Sequence, residues 1–216
     1  MKENQLMDRV RSVRYTCFWL IGTMLLILAD QVTKKLAVVY LKQQGNISLI
    51  SGILELQYLE NQGMAFGLLK GRQFLFILFC IIFCVALIYF FIKIPKTPYY
   101  RPLIIISGFL ASGATGNFID RVVHGYVVDF IYFSLIDFPV FNVADIYVVC
   151  SCIALILSII APFGCFFLGE KNKKRYKKSL IANCFMFFGV LLVATVVSFA
   201  GTASVQAAGS SADGLA

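Results

Sequence analysis

"FLFILFCIIFCVALIYFFI", residues 74–92, runs for 19 positions without a charged side chain and is closed by Lys93 and the breaker run "PKTP" (95–98). Roughly 20 apolar residues are what a helix needs to cross a bilayer core, so this stretch predicts a transmembrane span. Outward from it the pattern repeats. On the N-terminal side, a span is expected from about Tyr15 to Asp30, its helix continuing through "QVTKKLAVVYL". On the C-terminal side, one span starts near Pro102 and passes through "LIIISGFLASGATGNFI". The next starts near Phe141 and continues through "VADIYVVCSCIALILSIIAPF". A further apolar run, "LIANCFMFFGVLLVATVVSFAG", fills 180–201. The chain of 216 residues is 60% hydrophobic and 14% charged, more apolar surface than a soluble domain can bury.

The expected fold is therefore a mainly α membrane protein. It has a four-helix transmembrane core, a short outward-facing β-rich loop region and a fifth C-terminal transmembrane helix. Residues 1–170 make the transmembrane domain, 171–178 a basic cytoplasmic segment, 179–201 the extra apolar helix and 202–216 a disordered tail. The formal net charge of +8 is concentrated at Lys2, Arg9, Arg11 and Arg14, at Lys93, Lys96 and Arg101, and in "KNKKRYKK" (171–178). These clusters flank spans, so they set topology and favour anionic lipid headgroups. With no nucleic-acid-reading motif beside them, they argue against nucleic acid as a partner. All three fall on the cytoplasmic side by the positive-inside rule, which turns 46–70 and 120–141 outward. The partial alternation of "ILELQYL" (53–59) suits short strands lying on the membrane face. The seven cysteines lie in or beside apolar segments and are read as small buried hydrophobes, without a paired CxxC or a histidine cluster to make a metal site.

Against this background, "GNFIDRVVHGYVVDFIYFSLIDFPVFNVADIY" (116–147) stands out because it carries four aspartates. An ionisable group near hydrocarbon is expensive and marks function by default. Asp120, followed at once by Arg121, and Asp137, ahead of a Phe-Pro turn, have ordinary structural explanations. Asp129, within "GYVVDF", and Asp145, within "FNVADIY", have no basic residue within a helical turn along the chain. If folding brings them together, two desolvated like charges share one proton, and its pKa rises well above the usual value of roughly 4. Such a pair can activate water and protonate a scissile carbonyl or leaving group.

At these residues the chain resembles the bacterial lipoprotein signal peptidases (signal peptidase II). "DQVTK" (30–34), "NQGMAF" (61–66), "GATGNFIDR" (113–121), "VVDF" (127–130) and "FNVAD" (141–145) stand in that family's order, over roughly residues 10–170. The resemblance implies an intramembrane aspartic endopeptidase without a cofactor or metal. Its substrates would be diacylglyceryl-modified prolipoproteins, cut just before the lipidated cysteine. It implies a monomer in the bacterial cytoplasmic membrane, N-terminus inside, among membrane lipids, with the site near the extracytoplasmic face. Block by block, Asp129 and Asp145 fall on the catalytic pair. Asp30 and Lys34 match residues supporting the site, and Asn61, Gly63, Ala65 and Phe66 a loop over the substrate. Gly113, Asn117, Asp120 and Arg121 match the third block, and Asn142 and Ala144 flank the second aspartate. Phe66, Phe118, Phe130 and Phe141 would suit acyl chains.

Other readings of the residues remain open here. Ser112 with His124, the one histidine, would be a serine protease; a zinc protease lacks HExxH and its ligands. A proton-linked transporter or channel could relay protons through Asp30, Asp129 and Asp145. The extension past Lys178 departs from the family pattern. "KKRYKK", an apolar core and "SVQAA" resemble a signal peptide with a cleavage site, so an anchor, a processed tail and a pseudosubstrate all compete.

Overall fold

The computed structural model describes residues 2–62 and 73–166. The expected fifth helix, the basic segment and the tail lie outside these residues. So do Gly63, Ala65 and Phe66.

Four helices form the bulk of the described chain: α1 (Lys2–Gln44), α2 (Gln73–Lys93), α3 (Arg101–Val123) and α4 (Val143–Phe166). α2 matches its expected span within one residue at each end, and α3 starts one residue before Pro102 and continues four residues past the quoted run, to Val123. α1 begins about 13 residues before the expected start, through the charged run "KENQLMDRVRSVR". At 1.5 Å per residue its 43 residues extend roughly 64 Å, about twice a bilayer core of about 30 Å. By length and composition, α1 from Gln5 and α3 with its leading 3-10 turn (Pro98–Val123) suffice to cross a membrane; Ile77–Lys93 and Val143–Ser158 are shorter apolar helices.

α3 is the central helix. In its most apolar window 67% of residues are buried, against 11% for α1, and it packs on α1, α2 and α4. Pro98 opens the 3-10 turn and Pro102 sits in the first turn of α3, where a missing N–H costs nothing. The buried side of α3 is built from small residues, among them Ser107, Gly108, Ala111, Ser112, Gly113, Ala114 and Gly116, so neighbouring backbones come close. A Cβ on Gly113 would sit 2.6 Å from the carbonyl oxygen of Ala144 and 2.7 Å from Val148 Cγ2. Because one of these is backbone, relief requires moving α4. Gly113→Ala is expected to cost about 1–3 kcal/mol, seen as a lower unfolding temperature in detergent, whereas Gly22→Ala, which meets nothing within 4 Å, should be neutral or mildly stabilising.

Trp19 ties three helices: its ring stacks on Phe91 at 4.4 Å and its Nε1–H donates to Ser107 Oγ at 3.0 Å. Around this core the outer faces of α1, α2 and α4 are apolar and exposed, with Phe18, Leu25, Ile82, Val85, Val149 and Leu157 among them. That is the surface of a protein whose solvent is lipid. Cys17 and Cys150 lie on it, and Cys80, Cys84 and Cys152 are only half-buried, which corrects the reading of the cysteines as core residues. In an apolar solvent a thiol has no reason to turn inward.

At one end of the helices lies a four-stranded antiparallel sheet in the order β1 (Ile47–Ile50), β2 (Leu54–Asn61), β3 (Val127–Phe133), β4 (Phe138–Phe141). β2 falls where alternation placed a strand, and β1 lies just before it in the same outward-facing segment. The other two occupy a segment expected only to face outward. α1 ends at Gly45, whose φ of 81° closes the helix by an N–H bond to Leu41 O. Gly125, φ 84°, turns the chain from α3 into β3. Phe130 packs with Ala37, Leu41 and Val128 under the sheet, so it is a core residue and not an acyl-chain lining. Phe118 is half-buried, and Phe141 stacks on Phe133 at 5.9 Å.

Candidate active site

The β3–β4 hairpin explains how Asp129 and Asp145 come together. Ile131 pairs with Phe141 in antiparallel register, so Asp129, two residues back along β3, comes level with Val143 at the start of α4, two residues on from Phe141. There Asn142 caps the helix. Its Oδ1 accepts from Asp145 N at 3.0 Å, and Asp145 Oδ2 accepts from Asn142 N at 3.1 Å, a reciprocal capping box. The same Asn142 donates its Nδ2 to Asp129 Oδ1 at 2.6 Å and to Asn117 Oδ1 at 3.1 Å. One asparagine therefore bonds both carboxylates.

The remaining carboxylate oxygens are also met by amides. Asn61, at the end of β2, donates to Asp129 Oδ2 at 2.8 Å, and Asn117 of α3 donates to Asp145 Oδ1 at 2.8 Å. Neutral donors fix the two groups in place without neutralising either one. Asp129 is 2% exposed, whereas Asp145 keeps part of its surface open. Burial, reinforced by the nearby charge of Asp145, pushes the Asp129 carboxyl up to about 7; the amides of Asn61 and Asn142 pull weakly the other way.

Beneath the pair lies a buried cation. Lys34 Nζ, 3% exposed, bonds Asp30 Oδ2 at 2.9 Å, Asp120 Oδ2 at 3.0 Å and Asn117 Oδ1 at 2.8 Å, which satisfies all three of its N–H donors. Each carboxylate then holds backbone. Asp30 Oδ1 accepts from Ala144 N at 2.9 Å, and Asp120 Oδ2 from Val128 N at 3.2 Å. Ala144 and Val128 immediately precede Asp145 and Asp129, so one ammonium braces the chain at both aspartates. Gln31 joins the two braces, donating to Asp30 Oδ2 at 3.2 Å and Asp120 Oδ1 at 3.0 Å.

Of the residues singled out in the sequence, the structure gathers Asp30, Lys34, Asn61, Asn117, Asp120, Asp129, Asn142, Ala144 and Asp145 into one network. Gly113 sets the distance from α3 to α4. Buried Arg121 donates to Asn117 O at 3.3 Å. The simple account of Asp120 as the partner of adjacent Arg121 misses its role: it is bound to Lys34, Gln31 and the β3 backbone. Gln31 was not singled out; a polar residue inside "DQVTK" in an apolar helix was the available signal. Ser112, the candidate nucleophile of a serine protease, is fully buried and donates to Gly108 O and Phe109 O of its own helix, while His124 is exposed at the far end of α3. That pair does not meet. Nor is Asp30 free to relay protons as a transporter would require, since a lysine, a glutamine and a helix N-terminus hold it.

An apolar-surfaced helical bundle bearing two carboxylates in one amide-lined cluster defines a class, the membrane aspartic peptidases. Comparison with known proteins narrows it. The family model described as signal peptidase (SPase) II matches residues 22–161, and the chain belongs to that family. The chain is similar to the lipoprotein signal peptidase of Brevibacillus brevis, 36% identical over 156 residues, covering 72% of this chain and 99% of the relative. It is likewise similar to that of Caldanaerobacter subterraneus subsp. tengcongensis, 45% identical over 128 residues, covering 58% and 84%. A solved bacterial membrane enzyme, determined by the in meso method at 2.3 Å, superposes with a TM-score of 0.59 at 34% identity, over 71% of this chain and 92% of that one.

Proposed function

We propose that Asp129 and Asp145 are the catalytic pair of this peptidase. In this reading it removes the signal peptide from diacylglyceryl-modified prolipoproteins by cleaving just before the lipidated cysteine. The observation that carries the assignment is the double engagement of Asn142, which donates its side chain to Asp129 and its backbone N–H to Asp145. The substrate class comes from the relatives, which are named lipoprotein signal peptidases.

The chemistry follows from one proton held between two carboxylates. The ionised one takes a proton from water as the water oxygen adds to the scissile carbonyl; the protonated one gives its proton to the carbonyl oxygen. When the gem-diol collapses, the C–N bond breaks and the leaving nitrogen takes a proton. The pair again holds one proton, and a carboxylic acid and an amine are released.

In this reading the chain crosses the cytoplasmic membrane four times with its N-terminus inside, and the site faces the extracytoplasmic side. Support comes from the arginines of α1 and of the α3 start, which line one cavity at the bundle end opposite the sheet, as the positive-inside rule requires of two cytoplasmic segments. Arg121, with Gly63, Ala65 and Phe66 of "NQGMAF", would hold the unwound substrate backbone, whose unpaired amides are costly near hydrocarbon. The enzyme acts as a monomer among membrane lipids.

The test is a pair of precursors differing only in the diacylglyceryl group on the lipobox cysteine, each incubated with the purified chain in detergent. Cleavage before the cysteine of the lipidated form alone is expected. Equal cleavage of the unlipidated form would reject the lipid-reading site.

A further inference from the structure

A second candidate site lies at the other end of the bundle. A cavity of about 360 Å3 opens between α1 and the start of α3, with Arg11, Arg14 and Arg101 among its lining residues. Arg11, Arg14 and Phe18 are spaced three and four apart on α1, so they share one face. On α3, exposed Ile105 follows Arg101 by four residues. Each helix thus brings an arginine at its polar end and apolar side chains one turn deeper, and all of these line the same cavity. The lining is cationic on one side and apolar on the other.

The positive charge gathered there has little internal compensation. Arg11 NH1 lies 3.6 Å from Asp8 Oδ1, an exposed pair of the kind that contributes little. No acidic partner is recorded for Arg14 or Arg101 among the described residues. Arg101 also opens a helix of 23 residues, whose N-terminus adds partial positive charge. Arg101 heads the apolar α3, and Arg14 precedes the apolar run that starts at Tyr15, so both stand at headgroup level. A free anion would use the guanidiniums and leave exposed Phe18 and Ile105 without a purpose. A neutral lipid would do the reverse.

We propose that this cavity binds one anionic phospholipid. Arg11, Arg14 and Arg101 hold its phosphodiester, and an acyl chain lies along exposed Phe18 and Ile105. Guanidiniums suit the phosphodiester because their planar N–H pairs match its oxygens two at a time. The inference needs only that the chain spans a membrane and is independent of the catalytic assignment.

The full chain in a neutral detergent would be titrated with phosphatidylglycerol, phosphatidylcholine and glycerol 3-phosphate, with bound lipid counted by native mass spectrometry. One saturating phosphatidylglycerol is expected, with phosphatidylcholine and glycerol 3-phosphate each at least about tenfold weaker. Arg14→Gln with Arg101→Gln should weaken phosphatidylglycerol binding about thirtyfold, a several-fold loss per guanidinium, and Arg14→Lys with Arg101→Lys should fall between. Both side chains are exposed, so the variants should keep the parent's lipid-free unfolding temperature; if the double variant does not, Arg101→Gln alone is read the same way, with a several-fold loss expected. Phosphatidylcholine binding as tightly as phosphatidylglycerol, glycerol 3-phosphate saturating the site equally well, or Gln variants binding like the parent would each overturn the proposal.

Discussion

Asp129→Asn and Asp145→Asn should each lower cleavage of a lipidated precursor by at least about a thousandfold, the upper part of the range for general acid–base groups. Asn keeps the shape of Asp and one of the two hydrogen bonds each carboxylate accepts, but can neither accept nor release a proton at neutral pH. The fold should persist, because the scaffold runs through Lys34, Asp30 and Asp120 and not through the pair itself. The expected result is thus an inactive protein that elutes and unfolds much as the parent does. The wild-type pH profile tests the same claim from another side. Burial beside Asp145 raises Asp129 to about 7, so its proton is retained at pH 6 and largely gone at pH 9. Activity needs one proton between the two carboxylates, so kcat/KM of the free enzyme should fall on the alkaline side with a midpoint near that value. An Asn variant retaining a tenth of wild-type cleavage, or a flat profile to pH 9, would remove the dyad.

How much of this was readable in advance depended on whether a feature was local. The 74–92 span and the one starting near Pro102 were legible because an unbroken apolar run bounded by Lys and Pro needs no partner to be recognised. The run from Val127 to Phe133 was rich in β-branched and aromatic residues, yet its identity as a strand was missed. Its pairing partner β2 lies some 70 residues earlier, and an aspartate interrupts its apolar run. The first 13 residues of α1 were missed for the opposite reason, since a charged helix carries no apolar stripe. The candidate site divided along the same line. The two aspartates were identified by what they lacked, a nearby base. Asp120 was expected to be paired or solvated and is paired, but with a cation the adjacent Arg121 did not suggest: Lys34, 86 positions away on another helix. Carboxylate pairing inside a bundle follows spatial, not sequential, proximity, and a single chain does not display the former.

Lys34→Met should be the most damaging change outside the pair, costing about 3–5 kcal/mol and cleavage with it. Methionine matches the length of the side chain but leaves Asp30, 0% exposed, and Asp120, 1% exposed, as buried anions without their cation. Two like charges then face each other across the space the ammonium filled, and each is fastened to the backbone N–H of the residue just before Asp145 or Asp129. Relief requires those bonds to let go, which would release the N-terminus of α4 and the start of β3 together. The cost therefore belongs to the uncompensated charges and not to the lost contact, and this distinction can be tested. Asp120→Asn alone should be milder than Lys34→Met, because Lys34 keeps Asp30 and Asn117 as partners. Combined, the two changes should be less destabilising than the sum of the singles by roughly 1–3 kcal/mol, since the second removes one of the orphaned charges created by the first. Unfolding temperatures in detergent for the parent, the two singles and the double complete the cycle. Simple additivity would mean that Lys34 stabilises the protein by packing, and that the ionic brace under the two aspartates is not what holds them in register.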